Sequence, residues 1–198
     1  MRLERAVEVY LDSVKTCCPE VTVPELGYIK QGLALMELKP KDVYIEPETV
    51  QREIGFVVSG LLRVFYNDES GKEISVNFIR EGGYATHYSS FIAQTPCRYC
   101  IQCVESSLLV TLPYAHIQEG YRRFPGLERY GRLVAEEVLK MQQRRIEGFI
   151  FGNAESRYLS FVRENPALLN RVSVSHLASF LGIERQSLTR IRKRLVTS

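Results

Sequence analysis

The chain has 198 residues, 45% of them hydrophobic, and a formal net charge of +3. This suits one large or two small globular domains with a real core. No apolar run approaches the ~20 residues of a membrane-spanning helix, and the opening MRLERAVEVYLDSVK lacks the continuous apolar segment of a secretory signal, so a cytoplasmic protein is expected.

Residues 2–16 read as a helix, because Leu3, Ala6, Val7, Tyr10, Leu11 and Val14 recur at spacings of three and four. Pro19 disfavours helix in the residue before it and should end this element near CCPE. From about Val21 to Pro113 the texture changes to short β-rich runs broken by turn residues. In GFVVSGLLRVFYNDESGKEISVNFI, two strand-like runs flank NDESGK, a polar hairpin loop in which Gly71 can supply a positive φ. The runs DVYIE and SLLVTLP extend the pattern and predict a barrel, roll or sandwich of about 90 residues.

A long helical pattern follows over 125–148, with Pro at its start and Gly at its end. At 100° per residue, Tyr130, Val134, Val138 and Met141 fall within about 60° of Leu127. Glu128–Arg132 and Glu136–Lys140 are favourable i,i+4 pairs on the remaining surface. Such a narrow stripe fits pairing of the helix with its own copy, and packing on the preceding β domain fits it nearly as well. Another helix is expected over AESRYLSFVREN, stopped by Pro166.

Charge is distributed unevenly: the residues from Gly152 onward carry a net +5 and the first 151 a net −2. A small basic domain behind a neutral-to-acidic body points to a polyanionic partner. The closing LASFLGIERQSLTRIRKRL makes the partner more specific. In a helix-turn-helix, the first helix needs a small residue where the second crosses it, and four positions later a residue that accepts a left-handed backbone. Ala178 and Gly182 have that spacing, and the expected anchors Leu177, Leu181, Ile183, Leu188 and Ile191 are all aliphatic. Winding the second helix from Arg185 sends Leu188, Ile191 and Leu195 to one face. Arg185, Gln186, Thr189, Arg190 and Lys193 go to the other, with Ser187, Arg192 and Arg194 on the flanks. That is the arrangement of a major-groove reader. Arg can donate two bonds to guanine and Gln can pair with adenine, while flanking basic and hydroxyl groups hold phosphates.

With a β-rich first domain, a long helix and this ending, nearly the whole chain resembles the Crp/Fnr family of bacterial transcription regulators. FVVSGLLRVFYNDESGKE is similar to that family's VxxGxxRV…GKE hairpin, and ESRYLSFVRENPALLNRVSVSHLASFLGIERQSLTRIRKRL to its DNA-binding domain. The resemblance implies an α+β chain: a cyclic-nucleotide-binding-type, jelly-roll-like β-roll with its N-terminal helix over 1–123, a dimerisation helix over 124–149, and an all-α helix-turn-helix domain over 152–198. It places base reading on Arg185, Gln186 and Arg190, and a phosphate-contacting hydroxyl on Ser173. Gln186 stands where several members carry Glu. The segment before the recognition helix is too short for a full β-wing. Implied partners are double-stranded DNA read on a near-palindromic site, a second copy of the chain, RNA polymerase as a further candidate, an unknown small-molecule effector, and no membrane.

In family members that bind cyclic AMP, a Glu takes the ribose and an Arg-Ser pair the cyclic phosphate. In EGGYATHYSSFIAQTPCRYCIQC the resemblance puts His87 at the Glu place and Cys97-Arg98 at the pair, beside Tyr99. A neutral imidazole offers one acceptor nitrogen where a carboxylate would serve two hydroxyls, and Tyr99 is bulky. Cyclic AMP is therefore disfavoured and no cofactor is predicted.

The spacing of CRYCIQC invites a metal or iron–sulfur reading. On a strand, however, Cys97 and Cys103 would stand about 20 Å apart and Cys100 would face the other way. Buried thiols are the plainer reading, and no metal site is expected. Cys17 and Cys18 are a vicinal pair rather than the spaced N-terminal group of iron–sulfur members. Three histidines and no glycine-rich phosphate loop give no support to an enzyme. The alternative left open is a ligand-binding or thiol/redox-sensing β-roll dimer whose DNA binding is secondary.

Overall fold

The computed structural model describes residues 2–196; the side chain of Leu3, counted above in the first helical stripe, lies outside the described part. The fold is α+β, and the chain divides into two compact units. One runs up to Val64 and resumes over Phe78–Glu137; the other holds Phe65–Asn77 and the chain from Val138.

In the first unit, helix α1 (Arg2–Cys17) ends just before Pro19 and buries Ala6, Val7, Tyr10 and Val14. A second helix, α2 (Val23–Gln31), follows where β texture was expected from Val21. Its signal was present in TVPE. Thr22 caps the helix, and the Glu25 carboxylate accepts the Thr22 backbone N–H at 2.7 Å, the reciprocal bond of a capping box. The strands are β1 (Ala34–Leu38), β2 (Val43–Ile45), β3 (Glu53–Ser59), β4 (Leu62–Asn67), β5 (Glu73–Ile79) and β6 (Tyr84–Ala85). After the short helix α3 (Tyr88–Ala93) come β7 (Cys100–Cys103) and β8 (Ser107–Pro113), then helix α4 (Tyr114–Arg123).

Two four-stranded sheets result, in the orders β1-β8-β3-β6 and β2-β7-β4-β5. The run GFVVSGLLRVFYN is thus two strands in two sheets rather than one arm of a hairpin. The break falls at Gly60, whose φ of +105° and lack of a side chain let the backbone pass against Ser107. β3 pairs antiparallel with β8 from Glu53 opposite Pro113 to Phe56 opposite Val110, and β8 pairs antiparallel with β1. One core cluster joins Tyr10 and Val14 of α1, Leu26 and Ile29 of α2, Phe56 of β3 and Val110 of β8. It also takes in Leu127 and Tyr130 at the start of α5 (Pro125–Ile150), the long helix expected over 125–148.

In the second unit, the hairpin loop is organised by Asp68. Its Oδ1 accepts the N–H groups of Ser70 at 2.9 Å and Lys72 at 3.0 Å, and Gly71 has φ +81°. The same unit contains α6 (Ala154–Glu164), a 3-10 turn (Pro166–Leu168), α7 (Val174–Leu181) and α8 (Arg185–Val196). Between α6 and α7 that turn is the only regular structure among the described residues. Among the described residues, no helix is long and apolar enough to cross a membrane.

Candidate nucleic-acid interface

Helices α6, α7 and α8 close around Tyr158, Phe161, Leu168, Val172, Leu177, Ala178, Leu181, Leu188 and Ile191, all buried. The small side chain of Ala178 is 2% exposed, as a residue under a crossing helix must be. At the turn, Gly182 has φ +65° and ψ 38°, and its N–H closes α7 on the carbonyls of Ala178 and Ser179. The Ile183 N–H returns to the Ala178 carbonyl at 3.0 Å. Ser173 caps the other end: its Oγ accepts the His176 N–H at 3.1 Å. The hydroxyl proton of Ser173 is not used by this cap, and the residue is exposed.

Folding sorts α8 by face. Leu188 and Ile191 are buried, while Arg185, Gln186, Thr189, Arg190 and Lys193 are all exposed and lie together on the opposite side. Thr189 Oγ1 bonds back to the Arg185 carbonyl at 3.0 Å, and Arg190 reaches Ser187 Oγ at 3.3 Å. Arg194 is exposed and pairs with Glu155 of α6 at 2.6 Å. Ser187 and Arg192 are half-buried on the flanks. The arrangement is a row of exposed polar and basic side chains along one helix face, which can bond base edges from that face and phosphates from its edges.

Two cations support this surface from beneath and were not singled out from sequence. Arg157 Nε donates to the Leu181 carbonyl at 2.9 Å and Arg145 Nη2 to the Phe180 carbonyl at 3.1 Å. Both therefore satisfy last-turn carbonyls of α7, which have no partner within the helix. The Arg145 guanidinium also lies 4.0 Å from the centre of the Phe180 ring, and burial lowers its pKa to about 10. Their partners lie 24 and 35 residues away, so no local spacing could have revealed them. The hairpin joins the same support: the Ser75 N–H donates to Ser179 Oγ of α7 at 2.9 Å.

In the first unit, His87 and Tyr99, two of the residues that the resemblance puts at a nucleotide, lie close together. His87 caps α3 without a side-chain cap bond; its Nδ1 is 3.0 Å from Ser90 Oγ, and its ring centre 4.6 Å from that of Tyr99. The Arg98 guanidinium stands 5.8 Å from the centre of the Tyr99 ring. Cys97 is buried, bridged through its backbone to Thr49. Burial lowers the His87 pKa, which favours the neutral imidazole. Cys97, Cys100 and Cys103 are all buried, as is Cys18.

Residues 35–124 match the family model of the cyclic nucleotide-binding domain. No curated protein matches the sequence. Among solved structures, FixK2 from Bradyrhizobium japonicum is similar with a TM-score of 0.73 and 13% identity, over 83% of this chain and 85% of that one. The c-di-GMP-responsive global regulator CLP of Xanthomonas campestris gives 0.69 and 14%, over 89% and 92%. A CRP/FNR-family transcriptional regulator of Thermus thermophilus gives 0.67 and 19%, over 83% and 86%. At these identities the likeness is one of fold.

Proposed function

Because the chain carries a cyclic nucleotide-binding domain over residues 35–124 and has the fold of the Crp/Fnr transcription regulators, we propose that it is a sequence-specific, double-stranded DNA-binding regulator that works as a homodimer. The observation that carries this reading is the sorting of α8, with Leu188 and Ile191 buried, Leu195 half-buried, and Arg185, Gln186, Thr189, Arg190 and Lys193 exposed in one row. Arg185, Gln186 and Arg190 would bond base edges in the major groove. Thr189 and Lys193 complete that face, and Ser173, Ser187, Arg192 and Arg194 would fix register on phosphates.

Support for a homodimer comes from the later turns of α5. Leu139, Ile146 and Ile150 are 67%, 57% and 66% exposed, and with Gln142 they repeat at spacings of three and four on one face. An exposed apolar seam of that period fits a second copy of the same helix. A two-fold dimer would set its reading helices in successive major grooves, about 34 Å apart, on a near-palindromic site.

Control would come from an effector in the β-roll other than cyclic AMP. The residue at the ribose position is a partly buried, neutral His87 whose Nδ1 already engages Ser90, leaving no carboxylate to accept two ribose hydroxyls.

The experiment is a footprint of the purified chain on DNA upstream of its own gene and neighbouring genes. Two protected half-sites one helical turn apart are expected. Absence of all protection, even at low salt where nonspecific electrostatic binding is strongest, would overturn the reading.

A further inference from the structure

A cavity of about 230 Å³ lies in the first unit, and seven of the chain's eleven tyrosines line it. Its walls come from α1 through Tyr10, α2 through Tyr28, α3 through Phe91, α4 through Ile117, and α5 through Tyr130 and Val134. His87, Cys97, Arg98 and Tyr99 take no part in it, so this is a different place from the one at which the family resemblance seats a nucleotide.

Three features specify what could enter. First, no Asp, Glu, Lys or Arg is among the lining residues, so a charged molecule would be desolvated there with no countercharge. Second, an apolar cavity of about 150 Å³ admits benzene, and the larger volume here accommodates one ring or a fused pair. Third, the hydroxyls of Tyr10, Tyr84 and Tyr130 bond one another. Burial pushes the Tyr10 phenol up to about 12 and raises those of Tyr84 and Tyr130 as well. All three are neutral near pH 7. Three hydroxyls bonded to one another use up their protons before their lone pairs, so the cluster is better suited to accept a hydrogen bond than to donate one. A core built only for packing would favour Phe here, since each buried Tyr hydroxyl needs a partner.

We propose that this cavity is a binding site for a small neutral aromatic alcohol, a phenol or fused-ring phenol whose O–H donates to the tyrosine cluster. Such a ligand would touch the first turns of α5. Its role as the effector rests on the regulatory reading above, whereas its binding does not.

The test uses the full chain without DNA, with 2-naphthol, naphthalene and 2-naphthalenesulfonate as probes. The chain has no tryptophan, so naphthol emission is read without that background. In water, excited 2-naphthol loses its proton, and an apolar cavity suppresses this. A saturable rise in neutral-naphthol emission is therefore expected, with naphthalene binding roughly fivefold more weakly for want of one hydrogen bond and the sulfonate not binding. Tyr84→Phe should narrow the gap between naphthol and naphthalene. Ile117→Phe and Val134→Phe, each checked for native circular dichroism, should weaken naphthol at least about tenfold by filling the space. Unsaturable naphthol binding, equal binding of the sulfonate, or unchanged binding in folded filled variants would each overturn the proposal. The comparison of the three probes on the unaltered chain decides the matter even if both filled variants misfold.

Discussion

Arg190 and Arg194 sit four residues apart on one helix in different electrostatic settings. Arg190 is on the exposed row, held near Ser187, and a bidentate bond to a base edge is the natural use of its fork. Arg190→Ala should therefore cost ~1–3 kcal/mol at one base position and relax specificity there. Arg194 is paired with Glu155, so a phosphate must compete with that carboxylate for it. Arg194→Ala should weaken specific and random DNA alike and lower the salt slope by about one. Glu155→Gln should strengthen both about twofold, since an exposed pair is worth only ~0–1 kcal/mol. Titrations of both duplexes over a salt series check all three variants, and equal losses on the two duplexes for Arg190→Ala would contradict the assigned faces. His87 carries a pH signature. Its folded pKa lies below the ordinary 6.5 because burial disfavours the cation. As pH falls through about 6.5 the unfolded chain takes up the proton first, so stability should drop over that window, and His87→Asn should flatten the drop in melting temperature.

At the scale of the element, Glu25 shows how one side chain sets two helices. Its Oε2 accepts from the Thr22 backbone and hydroxyl, and its Oε1 accepts the Gly126 N–H at 2.9 Å in the first turn of α5. Burial alone would raise its pKa, but these bonds to the Thr22 backbone, the Thr22 hydroxyl and the Gly126 backbone hold it below the ordinary value. Glu25→Ala leaves helix N–H groups of α2 and α5 without their acceptor and should cost ~1–3 kcal/mol, measurable by urea unfolding. The capping box could be read from TVPE, whereas the bond to Gly126 joins residues 101 positions apart and depends on the folded chain. Helix α5 divides its own stripe in the same way. Leu127 and Tyr130 are buried in the β-domain cluster with Val134 against it, yet Met141 is 41% exposed. Periodicity gives a helix its apolar directions but does not say which neighbour takes each one.

For the whole molecule, the exposed seam of Leu139, Gln142, Ile146 and Ile150 bears on assembly. If two copies pair there, Leu139→Asp combined with Ile146→Asp should shift the chain from dimer to monomer in sedimentation. Each helix would then present a buried-type position as a charge. Affinity for a two-half-site operator should fall by at least about a hundredfold, while nonspecific binding per chain stays nearly constant. A dimer that survives the double substitution would place its interface elsewhere.

What the sequence determined alone was local. The α7–turn–α8 geometry, the two faces of α8, the end of α1 before Pro19 and the extent of α5 all follow from short-range rules: 100° per residue, a left-handed glycine and a helix-breaking proline. The same locality made the main elements of the candidate interface legible, because the side chains proposed to read bases lie within three turns of one helix. Tertiary structure alone decided the split of GFVVSGLLRVFYN between two sheets, the use of Arg145 and Arg157 to cap α7, the exposed seam of α5 and the gathering of seven tyrosines around one cavity. Each of these depends on which distant segment arrives as a neighbour. Burial and hydrogen-bond satisfaction are settled only when the chain has closed on itself.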